Sequence, residues 1–243
     1  MRISFIVPAF NEEVMLGATL ASLLKAARSL AVPFELIVVN DASTDGTVSV
    51  ARAHDAQVLD VCLHQIGAVR NAGARKASGD LLVFVDADTL VAAPTLQQML
   101  HAVGEGAVGG GARVRLDLHG VSGAWRALAE ASCWGLYRLR FAGGCFVFAR
   151  RDAFEAVGGF DERYFASEEI HLRIALGRRG RFAMLTAPVL SSGRKLRLFS
   201  AGYIARQMLR FALRGFSMVR RREGLELWYD GRREATDVRP PAA

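Results

Sequence analysis

The chain has 243 residues, of which 51% are hydrophobic, and it carries a formal net charge of +7. This composition excludes a disordered chain and allows one large α/β domain or two small ones, while the basic charge suits nucleic acid, anionic membrane or phosphorylated substrates as partners. No apolar run reaches the ~18 residues that a membrane-spanning helix needs. The N-terminus begins with a strand pattern, whereas a signal segment would begin with a charged stretch followed by an apolar one.

The first part of the chain alternates predicted strands with predicted helices. Strands are predicted at 3–7, 34–39, 57–61 and 81–85. Helices are predicted at about 12–31, 47–54, 67–77 and 94–103. Pro8 is expected to end the first strand. Strand–helix alternation of this kind is typical of right-handed crossovers between parallel strands, so we predict a doubly wound α/β sheet.

The second part is less regular. Strands are predicted at 112–116, within 141–150 and at 182–186. Helices are predicted around Trp125 and Trp134, at 151–157 and at 167–179. A basic loop is expected at 189–195, an amphipathic basic helix at 196–230 and a flexible tail at 231–243.

Polar clusters follow three of the predicted strands, at 9–13, 40–45 and 86–89. Ligands of open α/β sheets bind beyond the carboxyl ends of the strands, which is where these clusters lie. Asp86 and Asp88 are spaced so that their side chains can share a face. Two close carboxylates repel each other unless a cation lies between them, and Mg²⁺ or Mn²⁺ prefers oxygen ligands. We therefore predict a divalent metal site here; the alternative is that Asp88 only caps a turn.

Five segments carry a resemblance to a known family. They are VPAFNEE at 7–13, VNDASTDGT at 39–47, RNAG at 70–73, VDAD at 85–88, and GGFDE at 158–162 followed by Glu168 and Glu169. In this order they resemble the family 2 glycosyltransferases over roughly residues 1–195. The resemblance implies the GT-A fold, an α/β Rossmann-like and mostly parallel central sheet flanked by helices. It also implies a nucleotide-sugar-binding half at 1–105 and an acceptor-binding half at 106–195.

The resemblance further implies transfer of a sugar from a UDP- or GDP-linked donor with a divalent metal, Mg²⁺ or Mn²⁺, as cofactor. Asp88 would ligate the metal directly, and Asp86 would face the ribose or the metal's waters. The residues expected to bind the donor are Pro8, Ala9, Phe10, Glu12, Asp41, Arg70, Asp86, Ala87 and Arg194. Asp41 would accept a hydrogen bond from the base, or else cap its turn, as we expect of Asp45. Arg70 and Arg194 suit the diphosphate, the alternative for Arg194 being a solvated loop. Asn71 follows Arg70 at the start of a helix, where backbone N–H groups favour anions; the alternative for Asn71 is a position on the helix surface.

A general base must accept the proton of the acceptor hydroxyl. Glu168 and Glu169 stand where the family has an acidic pair whose second member is usually the base, so Glu169 is the first choice and Glu168 the second. This chain has Glu where the family usually has Asp. Gly143, Gly144 and Glu168 are expected to contact the acceptor. One base beside the acceptor implies a single in-line displacement with inversion.

The C-terminal segment mixes aromatic and aliphatic residues with arginines four residues apart, at Arg206, Arg210 and Arg214. This pattern suits an interfacial helix on anionic lipid, which would bring the enzyme to a lipid-linked acceptor; a saccharide acceptor is equally open. The alternatives are a helix packed on the domain or on a second subunit of a homodimer. The three cysteines follow no metal-ligand spacing, so we expect reduced thiols and a cytoplasmic protein, peripheral on the inner face of the membrane if the helix binds lipid.

Three other functions compete with a glycosyltransferase. A nucleic-acid-binding module would suit the charge, but the sequence shows no recognition motif with interleaved aromatics, so no nucleic acid partner is predicted. A nucleotidyltransferase would require a glycine-rich basic loop after the first strand, whereas the loop at 9–13 is acidic and lacks glycine. A catalytically inactive nucleotide-sugar-binding homologue stays open because of the unusual Glu168–Glu169 pair.

Overall fold

The structure is a computed structural model that describes residues 1–140, 143–214, 219–225 and 229. Within these residues it contains one eight-stranded sheet. The strands are β1 (Ile3–Ala9), β2 (Phe34–Asp41), β3 (Gln57–Val61), β4 (Leu81–Val85), β5 (Thr89–Leu90), β6 (Gly109–Asp117), β7 (Phe146–Arg150) and β8 (Phe182–Ser192). The helices are α1 (Glu13–Arg28), α2 (Thr47–Ala53), α3 (Ile66–Lys76), α4 (Ala93–Gly104), α5 (Gly123–Arg138), α6 (Arg151–Ala156), α7 (Glu168–Gly177), α8 (Arg194–Leu198) and α9 (Ala201–Arg214).

The strand order is β3-β2-β1-β4-β7-β6-β8-β5. The first four strands in this order, β3, β2, β1 and β4, are parallel. β7 is antiparallel to both of its neighbours, and β6 and β8 are parallel to each other. The predicted mostly parallel sheet flanked by helices is confirmed. Its consequence is that the carboxyl ends of β1, β2 and β4 meet at one edge.

Both faces of the sheet are buried, which explains why its central strands are apolar without alternation. On one face, Phe5 and Val83 pack in a core with Leu20 of α1 and Met99 of α4. On the other face, the rings of Phe154 and Phe160 lie 5.3 and 4.9 Å from that of Phe84. Full burial of such a side chain contributes about 1.5–3 kcal/mol. These two layers hold the strand ends, and the residues that follow them, in place.

Two of the strands that are longer than predicted, β1 and β8, each contain a proline. β1 continues through Pro8 to Ala9, because β4 pairs with β1 only as far as Ile6 and Pro8 is registered with Val39 of β2. β8 continues through Pro188 to Ser192, so the basic loop predicted at 189–195 is wrong. A register shift between Ala112 and Arg113 lets β6 follow β8 past this proline.

The C-terminal segment also differs from the single helix predicted at 196–230. It forms the short helix α8, an extended residue at Phe199 and then α9. Val219 and Leu225 are buried against Tyr164 and Ala166. The predicted tail at 231–243 lies outside the described residues. No helix within the described part of the chain is long and apolar enough to cross a membrane.

Candidate active site

A cleft of about 350 Å³ lies at the carboxyl ends of β1, β2 and β4. It brings together nearly all the residues that sequence reasoning selected: Pro8, Ala9, Phe10, Glu12, Asp41, Arg70, Asp86, Ala87, Asp88, Gly144, Glu168, Glu169 and Arg194. Gly143 is not among the residues that line it. A Cβ at Gly143 would lie 2.6 Å from Cγ2 of Val114, so this glycine serves packing.

Asp41, the last residue of β2, shapes the wall of the cleft beyond β3. Its Oδ1 accepts hydrogen bonds from the backbone N–H groups of Leu63 (2.7 Å) and His64 (3.1 Å), and its Oδ2 accepts from His64 at 2.9 Å. The ring of His64 in turn lies edge-on to Phe10, with centroids 5.8 Å apart. Asp41 therefore holds the loop after β3 against the loop after β1, a role that the sequence did not show.

Arg70 of α3 is buried among acceptors. Its Nη1 donates to Glu168 Oε1 at 2.5 Å, while its Nη2 donates to Asp86 Oδ1 at 2.7 Å and to the Gly144 carbonyl at 2.9 Å. Burial opposes its charge, but the carboxylates of Asp86 and Glu168 outweigh burial and raise the Arg70 pKa. Arg70 is thus a permanent cation that joins α3, the end of β4 and the start of α7.

The two glutamates that begin α7 have different surroundings. Glu168 is fully buried against Arg70, whereas Glu169 is only half-buried and faces Gly144, where an added Cβ would lie 3.5 Å from its Oε2. Burial, together with the charge of Glu168, raises the pKa of Glu169 to about 8. The two glutamates therefore differ: Glu168 is the counter-ion of Arg70, and Glu169 has a raised pKa at the wall of the cleft.

Arg194, at the start of α8, closes the opposite side. Its Nη1 and Nη2 each donate to a carboxylate oxygen of Glu12 at 2.7 Å, and Nη2 lies 3.2 Å from Asp88 Oδ2. Burial, reinforced by the nearby charges of Glu12 and Asp86, raises the pKa of Asp88 to about 6 although Arg194 opposes this. Glu12 therefore holds Arg194 at the edge of the cleft, and the contact with the donor expected of Glu12 stays a prediction.

No group of three or more His, Cys, Asp or Glu side chains among the described residues is arranged as a metal site. The donor set nevertheless fits Mg²⁺ or Mn²⁺. Asp86 and Asp88 supply carboxylate oxygens, the ligands that hard divalent ions prefer. Asp88 is largely buried beside Glu12 and Asp86, with Arg194 Nη2 at 3.2 Å, and a divalent ion would offset the remaining negative charge of this cluster.

Several residues of the cleft were missed by sequence reasoning. They include His64, Gln65, Ile66, Val69, Cys145, Phe165, Ser167, Leu198, Phe199, Arg222 and Tyr229. Tyr229 donates from its hydroxyl to the Phe165 carbonyl at 2.6 Å, and burial raises the pKa of Tyr229 to about 12. Nothing in the local sequence around Tyr229 indicates that it returns to this wall.

Three further polar residues have structural contacts. Asn71 donates to the Phe160 carbonyl at 2.8 Å and accepts from its N–H at 2.9 Å, so it fixes the turn after α6 and is buried, not on the helix surface. Asp45 accepts from the backbone N–H of Thr47 at 3.0 Å, the expected turn cap. His171 stacks on Tyr164 with ring centroids 3.8 Å apart.

Comparison with known proteins decides the family. The family model for glycosyl transferase family 2 matches residues 4–158. The chain belongs to this family. Solved structures at 20–23% identity share its GT-A fold, including a mannosyltransferase from Pyrobaculum calidifontis in complex with GDP-Man and Mn²⁺ (21% identity, TM-score 0.63, 86% of this chain and 60% of that one). Glucosyl-3-phosphoglycerate synthase from Mycobacterium tuberculosis, in complex with Mn²⁺, UDP and glucosyl-3-phosphoglycerate, is 22% identical with a TM-score of 0.62 over 88% of this chain and 80% of that one.

Curated family members match over a shorter stretch. A validoxylamine A glucosyltransferase of Streptomyces hygroscopicus subsp. jinggangensis is 32% identical over 106 residues, which is 41% of this chain and 25% of that protein. An undecaprenyl-phosphate 4-deoxy-4-formamido-L-arabinose transferase of Shewanella sediminis is 31% identical over 93 residues, 35% of this chain and 28% of that protein. The match thus spans about a quarter of the length of these relatives.

Proposed function

We propose that the protein is a metal-dependent glycosyltransferase that moves a sugar from a nucleotide-diphosphate sugar to an acceptor hydroxyl. One observation carries the proposal: a single cleft holds the acidic pair Asp86–Asp88 and, across Arg70, a separate carboxylate, Glu169, with a raised pKa. Departure of a diphosphate and deprotonation of a hydroxyl need these two kinds of group together. The glycosyltransferases named among its relatives support the same reaction class.

The donor would lie between the ends of β1 and β2. The backbone of Pro8, Ala9 and Phe10 frames this part of the cleft. Asp41 Oδ2, which accepts one backbone N–H where Oδ1 accepts two, would accept a further hydrogen bond from a base N–H of a UDP- or GDP-linked sugar. Two structural neighbours support this choice, since their structures contain UDP and GDP-Man. Arg194, oriented by Glu12, would move from Asp88 onto a phosphate oxygen.

Asp88, with Asp86 beside it, would hold a divalent ion. When bound, the ion would neutralise the negative charge that develops on the departing diphosphate. The neighbours that contain Mn²⁺ support Mg²⁺ or Mn²⁺ as the cofactor. Arg70 would keep the Asp86 carboxylate turned toward this site, because it donates to Oδ1 and leaves Oδ2 for other partners.

Glu169 would act as the general base. The acceptor hydroxyl gives its proton to Glu169, its oxygen bonds to the anomeric carbon, and the bond from that carbon to the diphosphate breaks with inversion. Glu168 would stabilise Arg70 instead of taking the proton, because its carboxylate is already bound to the guanidinium. Gly144 leaves room beside Glu169 for the acceptor, either a saccharide or a lipid-linked molecule.

The C-terminal helix extends this proposal to the location of the enzyme. Arg206 and Arg210 are exposed on α9, one turn apart, and would contact anionic lipid of the inner membrane face or a second subunit. A relative named as an undecaprenyl-phosphate 4-deoxy-4-formamido-L-arabinose transferase supports lipid over a second subunit as the partner of α9.

A thermal-shift panel of UDP- and GDP-sugars, each with Mg²⁺, Mn²⁺ or a chelator, tests the proposal. A ligand that binds only the folded state raises the melting temperature by mass action. We expect one nucleotide series to raise it in the presence of metal and much less with chelator. An inactive nucleotide-sugar-binding homologue, the alternative that the unusual Glu168–Glu169 pair keeps open, would bind in the same way but release no nucleoside diphosphate with any acceptor. Absence of any shift would refute both functions.

A further inference from the structure

The helix α5 exposes apolar side chains to a degree unusual for a folded domain. None of its sixteen residues, all of which the structure describes, is buried. Ala124, Ala127, Leu128, Ala131 and Trp134 recur at intervals of three or four and are all exposed, forming one stripe along the helix. We refer to these five residues as the α5 stripe. Leu128 is 54% exposed and Trp134 is 56% exposed.

The surface continues beyond the α5 stripe and becomes basic. Leu139, which follows the helix, extends it and is 66% exposed, whereas Leu136, 53% exposed, stands two residues from Trp134 and so faces the other side of the helix. Of the eight large hydrophobic side chains most exposed among the described residues, four therefore lie on α5 or directly after it. An apolar patch of this kind marks an interaction surface, because single exposed hydrophobics are normally scattered.

The charges around the α5 stripe favour an anionic partner. Arg126, Arg138 and Arg140 stand against the single acidic residue Glu130, which pairs with Arg126 at 3.7 Å. The guanidinium of Arg138 lies 5.5 Å from the centre of the Trp134 ring, so an aromatic ring and a cationic group lie side by side on this surface. Such a combination is typical of side chains at the boundary between lipid headgroups and acyl chains.

The α5 helix begins close to the cleft. Nη1 of Arg197 in α8 donates to the carbonyls of Asp117 (3.1 Å) and His119 (3.2 Å), just before α5 begins. The next two residues of the same segment, Leu198 and Phe199, line the cleft. α9, with its exposed arginines, starts from this corner as well. A surface that bound α5 would therefore lie beside the cleft.

We propose that the α5 stripe, with Leu139, docks on an anionic lipid bilayer surface, the apolar side chains entering the headgroup boundary and Arg138 and Arg140 contacting lipid phosphates. A second copy of the chain fits less well. Two such helices would bring three arginines each to one interface against one glutamate each. The docking surface is independent of the proposed reaction, since none of its residues lines the cleft.

Binding of the full chain to vesicles tests the proposal. Flotation with phosphatidylcholine vesicles, with and without phosphatidylglycerol, would compare the wild type with Leu128→Ser/Trp134→Ser. We expect binding that requires phosphatidylglycerol and falls at least tenfold in the double variant. Ile174→Ser on α7 is the matched control, because Ile174 is a similarly exposed hydrophobic at 42%, and it should bind like the wild type. Arg138→Gln/Arg140→Gln should weaken binding mainly at low salt.

Three results would overturn the proposal. The wild type could fail to bind either vesicle, or the double variant could bind as well as the wild type. Sedimentation could instead show a wild-type dimer that the double variant converts to monomer, which would assign the α5 stripe to a second copy. Circular dichroism and the melting temperature would verify folding, and the nucleotide-induced shift should be equal in all variants. Loss of that shift in every protein would refute the proposed function without touching the vesicle result.

Discussion

The guanidinium of Arg70 is shared between Glu168 and Asp86, at 2.5 and 2.7 Å. This bridge links the predicted metal side of the cleft to the predicted base side. It also gives the two glutamates of α7 different surroundings, since Glu168 pairs with the buried guanidinium of Arg70 and Glu169 lies at the cleft wall. Breaking such a pair leaves an uncompensated buried charge, which costs about 3–5 kcal/mol.

The first prediction concerns the base. Glu169→Gln should lower kcat by roughly 10²–10⁴ while nucleotide affinity changes little, because only the group that accepts the proton is lost. Steady-state kinetics and calorimetric titration of the donor nucleotide would measure the two effects. Glu168→Gln is the matched control: it should lower the melting temperature through Arg70 and reduce kcat less. Equal losses of kcat in both variants, or turnover that survives in Glu169→Gln, would show that the base is elsewhere.

The second prediction follows from the raised pKa of Glu169, about 8 against an ordinary 4.5. Between these values the folded state binds more protons than the unfolded state, so the free energy of unfolding falls as pH rises. Glu169→Gln removes this loss. The variant should match the wild type near about pH 4.5 and exceed it above about pH 8 by on the order of 1–3 kcal/mol, or several degrees of melting temperature.

Asp88 adds to the same pH dependence in the lower part of the range, since its pKa is raised from 3.8 to about 6. Glu130→Gln, which makes the same substitution at an exposed position of α5, is the control for the effect of the substitution itself. A constant difference between Glu169→Gln and the wild type across the pH range would contradict the burial that we assign to the Glu169 carboxyl.

The third prediction concerns the metal. Asp88→Asn should abolish the part of the nucleotide thermal shift that depends on Mn²⁺ and reduce Mn²⁺ affinity at least tenfold, because a neutral amide replaces the central oxygen ligand. Its metal-independent part should stay, since Asp41 and the β1 loop are unchanged. Titration calorimetry of Mn²⁺ in the presence of nucleotide measures this directly. A wild type whose binding and turnover ignore a chelator would disprove metal dependence.

The fourth prediction concerns the Glu12–Arg194 pair. Glu12→Gln replaces a charged bidentate acceptor with a neutral one, so Arg194 should be held less firmly and the donor KM should rise roughly tenfold, with a smaller change in kcat. Glu13→Gln is the neighbouring control; Glu13 accepts from the Gly46 N–H at 2.7 Å and does not contact Arg194. If Glu12→Gln left the KM unchanged while Arg194→Ala raised it, Arg194 would not need Glu12 for its position.

The fifth prediction compares two helical glycines. A Cβ on Gly73 would overlap Ile6 and lie 2.8 Å from Val39 Cγ2, so Gly73→Ala should push α3 from the sheet and destabilise the fold by about 1–3 kcal/mol. On Gly135 of α5 an added Cβ meets no atom within 4 Å. Gly135→Ala should stabilise by about 0.5–1 kcal/mol through backbone entropy. Urea unfolding would measure both, and a stable Gly73→Ala would mean that α3 has room to move.

Local patterns were sufficient for much of the fold. The strand Leu81–Val85 and the carboxylates that follow it were predicted from an apolar run alone, because burial of both faces leaves a period-free hydrophobic stretch. The periodic leucines of α1 similarly predicted a helix that buries one face. The prolines gave wrong strand ends, because proline alone predicts the end of a strand. Pro8 lies where β1 pairs only with β2, and Pro188 lies where the register of β6 and β8 shifts, so both strands continue.

By itself, the sequence determined the alternating strands and helices, the family, and the set of polar residues at the strand ends. Only the tertiary structure decided how those residues share their charges. Glu12 and Arg194 lie 182 positions apart, and Arg70 and Glu168 lie 98 apart. Hydrophobic periodicity reports how one segment is buried, but it contains no information about which distant segment completes a carboxylate's hydrogen bonds. That choice depends on the packing of the whole sheet, and it separates the proposed base, Glu169, from the buried counter-ion beside it.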